Sequence, residues 1–114
     1  MNKDEIQALE DSFAETGIIL EALSSKIRQD IILELVKCYP RGLRIGEINK
    51  KKCITRPTMS HHMKLLCKAN LIGYNKMGTK NYYYLNVDAE KISKLSELFE
   101  KLKAVSGENN ETSH

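Results

Sequence analysis

Twelve residues from Thr55 to Leu66, TRPTMSHHMKLL, place the tightest constraint on what this chain can fold into. Thr55 is suited to cap a helix, and Pro57 to sit in its first turn, where a missing N–H is harmless. Met59, His62, Met63 and Leu66 fall at i, i+3, i+4 and i+7, which makes one stripe to bury. Pro57, Ser60, His61, Lys64 and Lys68 fall on the other side, with Arg56 at the helix start. Hydroxyls and imidazole on such a face can bond base edges while cations neutralise phosphates, as a DNA major groove requires. The same pattern also describes an ordinary surface helix with a solvated basic face. Charge elsewhere in the chain bears on the choice.

The net charge is only +3, but it is unevenly spread. Between residues 37 and 80 there are eleven lysines and arginines against Glu47 alone, a balance of +10, which leaves −7 for the rest. A basic middle between acidic ends is the footprint of a polyanion-binding face with flanks that do something else. With 114 residues the chain is expected to form one domain with a modest core. No apolar run approaches the roughly 18 residues of a membrane span. The start, Met1-Asn2-Lys3-Asp4-Glu5, lacks the order of a signal peptide, so a cytoplasmic location is expected. Cys38, Cys53 and Cys67 are odd in number and form no CxxC pair, which fits a reducing compartment and no disulfide scaffold.

Taken in order, residues 4–22 read as a first helix, with Ile6, Leu9, Phe13, Leu20 and Leu23 at heptad-like spacing and Thr16 on the same seam. Gly17 weakens it by about 1 kcal/mol relative to alanine, which allows a break or kink there. Ser24 or Ser25 caps a second helix, roughly 25–38, with Ile27, Ile31, Ile32, Leu35 and Val36 inward. Pro40 and Gly42 end it. A short helical segment over 43–51, with Ile45 and Ile48 inward, and a turn over 49–54 lead into the helix described first. Asn70 marks that helix's stop. Residues 71–75 and 81–85 read as strands joined by the glycine-bearing connection 76–80, a basic hairpin of the kind called a wing. Three successive tyrosines, 82–84, suit cross-strand packing better than a single-strand stacking platform. Asp88 caps a last helix over 89–104 with Ile92, Leu95, Phe99 and Leu102 on one seam, and 106–114 is expected to be a disordered tail.

At this point the chain resembles the ArsR type of winged helix-turn-helix repressor. Ala22-Leu23-Ser24, Arg28 and Ile31-Ile32-Leu33 resemble that family's second helix. Thr58 to Leu66 resembles its T-V-S-H-H-L-K-x-L recognition helix, and Gly78 with Tyr82-Tyr83-Tyr84-Leu85 resembles its wing. The resemblance implies a homodimer, joined through its first and last helices, that binds operator DNA and releases it on a signal. Departures are equally definite. Metal sensors of the family often carry Cys-x-Cys where this chain has Arg44 and Gly46, and histidines on a last helix that here, over 88–105, has none. Neither of those two zinc or soft-metal sites can form without thiolate or imidazole ligands.

The expectation is therefore a mainly α fold with a small β-hairpin wing, a winged helix-turn-helix domain over 1–105 whose end helices form a dimer interface. Arg56, Thr58, Ser60 and His61 are expected at or near base edges, Lys50, Lys51, Lys64, Lys76 and Lys80 at phosphates, and Gly78 and Thr79 at the wing tip. Ile6, Leu9, Phe13 and Leu20 with Ile92, Leu95, Phe99 and Leu102 would form the dimer face. Double-stranded operator DNA and a second copy are the expected partners, with no membrane, no cofactor and no metal. No nucleophile–base pair or carboxylate pair points to an enzyme. Three alternatives stay open: a protein-contact module with an acidic partner, a sensor with a noncanonical metal site, and a thiol switch at Cys53 beside Lys51 and Lys52. His62 is expected to be a satisfied, half-buried histidine, since His61 and His62 point about 100° apart on a helix.

Overall fold

A computed structural model describes the backbone of residues 1–50 and 53–113, with side chains described as far as residue 107. Its elements run α1 (Lys3–Leu23), α2 (Lys26–Lys37), α3 (Ile45–Ile48), α4 (Arg56–Lys68), β1 (Ile72–Met77), β2 (Lys80–Leu85) and α5 (Ala89–Ser113). They form two compact units: Ile18–Asp88, and the two ends, Met1–Gly17 with Ala89 onward. Mostly helical with one antiparallel hairpin, this is the expected fold class. No helix among the described residues is long and apolar enough to cross a membrane.

Within the unit Ile18–Asp88 the core is built from Ile31 and Leu35 of α2, Ile48 of α3, Met59, Met63 and Leu66 of α4, and Ile72 and Tyr83 of the hairpin, all buried. The apolar stripe expected on α4 is therefore the buried one, with His62 half-covered beside it. Val36 departs from expectation: it is exposed, as are Leu33 and Tyr39, and Arg28 takes an inward place on α2 with Ile31 and Leu35. Ser25 caps α2, its hydroxyl accepting the Arg28 N–H at 3.3 Å. α3 is a single turn. The Glu47 carboxylate reaches back to the Arg44 N–H at 3.2 Å, and at the other end the Asn49 N–H donates to the Ile45 carbonyl at 2.8 Å. The Asn49 side chain then spans the turn, donating to the Ile54 carbonyl at 2.6 Å and accepting the Ile54 N–H at 3.2 Å.

α4 ends in a Schellman motif. Asn70, at φ +56°, donates to the Cys67 carbonyl and Leu71 donates to the Leu66 carbonyl, with Leu66 and Leu71 both buried. Asparagine tolerates this left-handed conformation better than most residues. The strands are longer than the residue pattern suggested. Lys76 and Met77 belong to β1 and Lys80 to β2, so the connection is Gly78-Thr79 alone. Gly78, at φ +65°, fits the first central position of a two-residue hairpin turn, where an L side chain is strained. A third strand-like piece was not expected. Leu43 exchanges both backbone hydrogen bonds with Tyr83, at 2.8 and 2.9 Å, which ties the segment before α3 to the hairpin.

Helix α1 is continuous through Gly17, so the helix is not broken there. Up to Gly17 its buried residues are Ser12 and Thr16, the latter on the expected seam; Ile6 and Phe13 are exposed and Leu9 is half-buried. Lys101 of α5 donates to the Ser12 hydroxyl at 2.8 Å, and Lys94 stands 3.6 Å from Glu15. On α5 Leu98 is fully buried and Leu95 is also covered.

 Both Leu95, at 8% exposure, and Leu98, at 0%, thus face inward, while Phe99 and Leu102 stay exposed. Leu95 is the one member of the expected dimer seam on α5 that the protomer itself buries. Helix α5 also runs past the expected end at 104. Of the tail expected over 106–114, the backbone is helical through Ser113; side chains from 108 onward, and His114, lie outside the described residues. No proline interrupts this stretch, and Gly107 alone weakens a helix by only about 1 kcal/mol.

Candidate nucleic-acid interface

Helix α4 carries its candidate residues on the side away from the Met59, Met63 and Leu66 stripe. Thr55 holds the N-cap position in an extended conformation, but its hydroxyl donates to the Thr58 hydroxyl at 2.8 Å and accepts no backbone N–H. Pro57 lies in the first turn, as expected. Arg56, Thr58, His61 and Lys64 are exposed, and Ser60 is half-buried. The His61 and His62 rings lie 6.2 Å apart and tilted by 51°, so the two imidazoles diverge. Burial first, then the charge of Arg28 and the neighbouring His61, hold the His62 pKa below the usual histidine value. It stays neutral over a wider range than a free histidine.

The α3 turn, the start of α4 and the wing tip enclose a cleft of about 580 Å³. Arg44, Lys50, Arg56, Thr79 and Lys80 line it, together with Glu47 and Asn81. Four cations facing one carboxylate make it a place for anionic groups such as backbone phosphates. The pattern of residues had marked Lys50, Arg56, Thr79 and Lys80; it had not marked Arg44 or Asn81. Arg44 had a signal, being one of the eleven cations of the basic middle. Asn81 had none. Glu47 accepts from both the backbone N–H and the Nε of Arg44, at 3.2 and 3.4 Å. The first of these bonds is the main reason its carboxyl sits below the ordinary range.

The two wing lysines differ in placement. Lys76 pairs with Asn81, and Lys80 pairs with Met77 next to the Gly78-Thr79 turn. Lys80 lines the cleft and Lys76, although exposed, does not. Gly78 and Thr79 are exposed at the tip. Lys51, the remaining expected phosphate contact, lies outside the described residues.

The cysteines offer little. Cys38 donates to the Leu35 and Arg41 carbonyls, Cys67 is half-buried with its thiol pKa pushed up by burial, and Cys53 is exposed at φ +49°. Thiolate chemistry is disfavoured at Cys67 for that reason. Among the described residues, no three histidine, cysteine or acidic side chains are grouped to hold a metal ion.

A one-turn helix, a second helix with a polar outer face and a basic two-stranded hairpin define a winged helix-turn-helix chain. No family model matches it. It is 36% identical over 75 residues to the arsenical resistance operon repressors of Staphylococcus aureus and Staphylococcus xylosus, a match covering 66% of this chain and 69% of each of those proteins. The chain belongs to the ArsR family of transcriptional regulators. Solved structures agree on the fold. An ArsR family transcriptional regulator superposes with a TM-score of 0.64 at 12% identity, over 94% of this chain and 95% of its own. NolR from Sinorhizobium fredii superposes with a TM-score of 0.63 at 20% identity, over 88% and 92%. A homodimeric winged helix-turn-helix DNA-binding domain from Mycobacterium bovis gives 0.55 at 23% identity, over 99% and 94%.

Proposed function

We propose that this chain is a cytoplasmic, homodimeric repressor that binds an inverted-repeat operator, with α4 in the major groove and the wing along the backbone. The observation that carries this is the gathering of Arg44, Lys50, Arg56 and Lys80 around one cleft beside the exposed face of α4. In this assignment Arg56, Thr58, Ser60 and His61 meet base edges. Lys50, Lys51, Lys64, Lys76 and Lys80 meet phosphates, with Gly78 and Thr79 shaping the wing tip. One winged-helix domain over 1–105 supplies both functions, reading through its middle and dimerising through its ends.

The exposed Ile6, Phe13, Phe99 and Leu102 support dimerisation, because large apolar side chains gathered on the acidic ends favour a partner over water. Leu9, Leu20 and Ile92, each half-buried, would complete that face. A two-fold axis relating two copies of α4 places the half-sites one helical turn apart or a multiple of it. Sensing would not use the family's two common metal sites, whose ligands this chain lacks. Selection of bound fragments from genomic DNA tests the proposal. It should return a common inverted repeat; a pool with no shared sequence would count against a repressor and favour contacts with an acidic protein.

A further inference from the structure

We propose that Arg28 is a positioning residue for the recognition helix, acting through the hydrogen bond it donates to His62. This rests on the assignment of α4 to base reading. Arg28 is only 8% exposed, and a buried guanidinium is tolerated when its donors are satisfied. Its Nε donates to the Ala22 carbonyl at 2.9 Å and its Nη2 to the Glu21 carbonyl at 2.9 Å. Both carbonyls lie in the last turn of α1, where the helix supplies no further N–H partners. Its Nη1 stands 3.0 Å from Nδ1 of His62 on α4. One side chain of α2 thus joins the end of α1 to the inner side of α4.

The chemistry fixes the direction of that third bond. Arginine carries donors only and stays protonated, so His62 Nδ1 must accept and its proton must sit on Nε2. Met59 and Met63, the covered neighbours of His62 on α4, are unbranched and adapt to small changes in packing. They set the depth of α4 better than its roll. A directed hydrogen bond sets roll. Turning a helix by about 20° moves a side-chain tip roughly 5 Å from the axis by about 2 Å. That displacement exceeds the narrow distance range of a hydrogen bond to a base edge. Phosphate contacts through long lysines tolerate it. Loss of the Arg28–His62 bond should therefore reduce discrimination between sequences while leaving general DNA attraction in place.

The test compares His62→Leu, which removes the acceptor, with His62→Asn, whose Oδ1 can accept near the position of Nδ1 and does not titrate. Affinity is measured for a selected operator and an unrelated duplex, compared at matched salt concentrations across a salt series. The expected result is a ratio about tenfold lower for His62→Leu, the scale of one lost base contact, with restoration by His62→Asn and an unchanged salt slope for the unrelated duplex. Equal discrimination by His62→Leu and the parent overturns the proposal. So does failure of His62→Asn to restore the ratio when it folds. A parent that discriminates between no duplexes overturns the DNA-reading assignment itself. Should His62→Leu fail to fold, nitrogen NMR of the unaltered protein decides: the Nε2–H tautomer at neutral pH is expected, and the Nδ1–H tautomer overturns the bond.

Discussion

A β-carbon at Gly42 would stand 2.6 Å from the Tyr83 carbonyl oxygen, and the obstacle is backbone, which cannot swing aside. The contact lies beside the Leu43–Tyr83 bridge, so a side chain there would push the hairpin away from the segment leading into α3. Gly42→Ala should lower stability by about 1–3 kcal/mol, the usual effect of overpacking, read as a shift of the denaturant midpoint. An unchanged midpoint would mean that the bridge is not held as described. His62 gives a second expectation at this scale. Its pKa is lowered on folding, by burial first and by Arg28 and His61 after it. The unfolded chain therefore binds the proton more readily. The stabilising contribution is full above the unfolded value of about 6.5 and is lost as pH falls through the folded value. Stability measured from pH 7.5 downward should fall less steeply in His62→Asn than in the parent, and identical profiles would remove His62 as the cause. Neither Gly42 nor Arg28 was evident as a structural joint from the residues alone. A glycine after a proline reads as a helix stop, and its long-range neighbour 41 positions away leaves no local trace. Arg28 did carry a trace, since it shares the inward face of α2 with Ile31 and Leu35.

Elements were legible wherever one periodicity ruled, as in α2 and α4, whose caps and covered stripes lie close to where residue types place them. The end helices were less so, because two faces compete for the same apolar residues. On α1 up to Gly17 the buried positions are Ser12 and Thr16, with the Thr16 hydroxyl donating to the Ser12 carbonyl at 2.7 Å. A polar pair satisfied in this way leaves no hydrophobic signature. On α5, Leu98 and Phe99 are sequence neighbours with opposite environments, at 0% and 52% exposure. They separate folding from association. Leu98→Ala should destabilise the protomer by about 2–5 kcal/mol. Phe99→Ala should leave protomer stability nearly intact and weaken dimerisation roughly 10- to 100-fold, from the burial of one large side chain. Sedimentation and unfolding curves check the pair. Phe99→Ala acting on the fold instead of on association would remove Phe99 from the dimer face. The candidate interface was legible by charge more than by geometry. Nothing local in the sequence tells that Lys80 reaches the cleft and Lys76 does not, because that depends on where the two-residue turn falls.

For the whole molecule, the uneven charge is the feature that joins fold to function: +10 over residues 37–80 and −7 elsewhere. In the proposed assignment the acidic ends, with exposed Phe13 and Phe99, would serve association and the basic middle would serve DNA. Zinc should not release the operator complex, since the thiolates and imidazoles of the family's two common sites are missing. Loss of the complex on adding one equivalent of zinc per protomer, reversed by a chelator, would require a metal site of another kind. The central claim is that this basic middle binds duplex DNA through its phosphates, and the salt dependence of binding tests it most directly. Affinity for the selected inverted repeat should be measured by fluorescence anisotropy across 50 to 200 mM salt. With about 6–10 phosphate contacts in a dimer, it should fall roughly 10³–10⁵-fold over that range. Lys80→Ala should make the slope shallower by about one unit per lysine lost. Binding that is absent at low salt, or that stays flat across the range, would contradict the account.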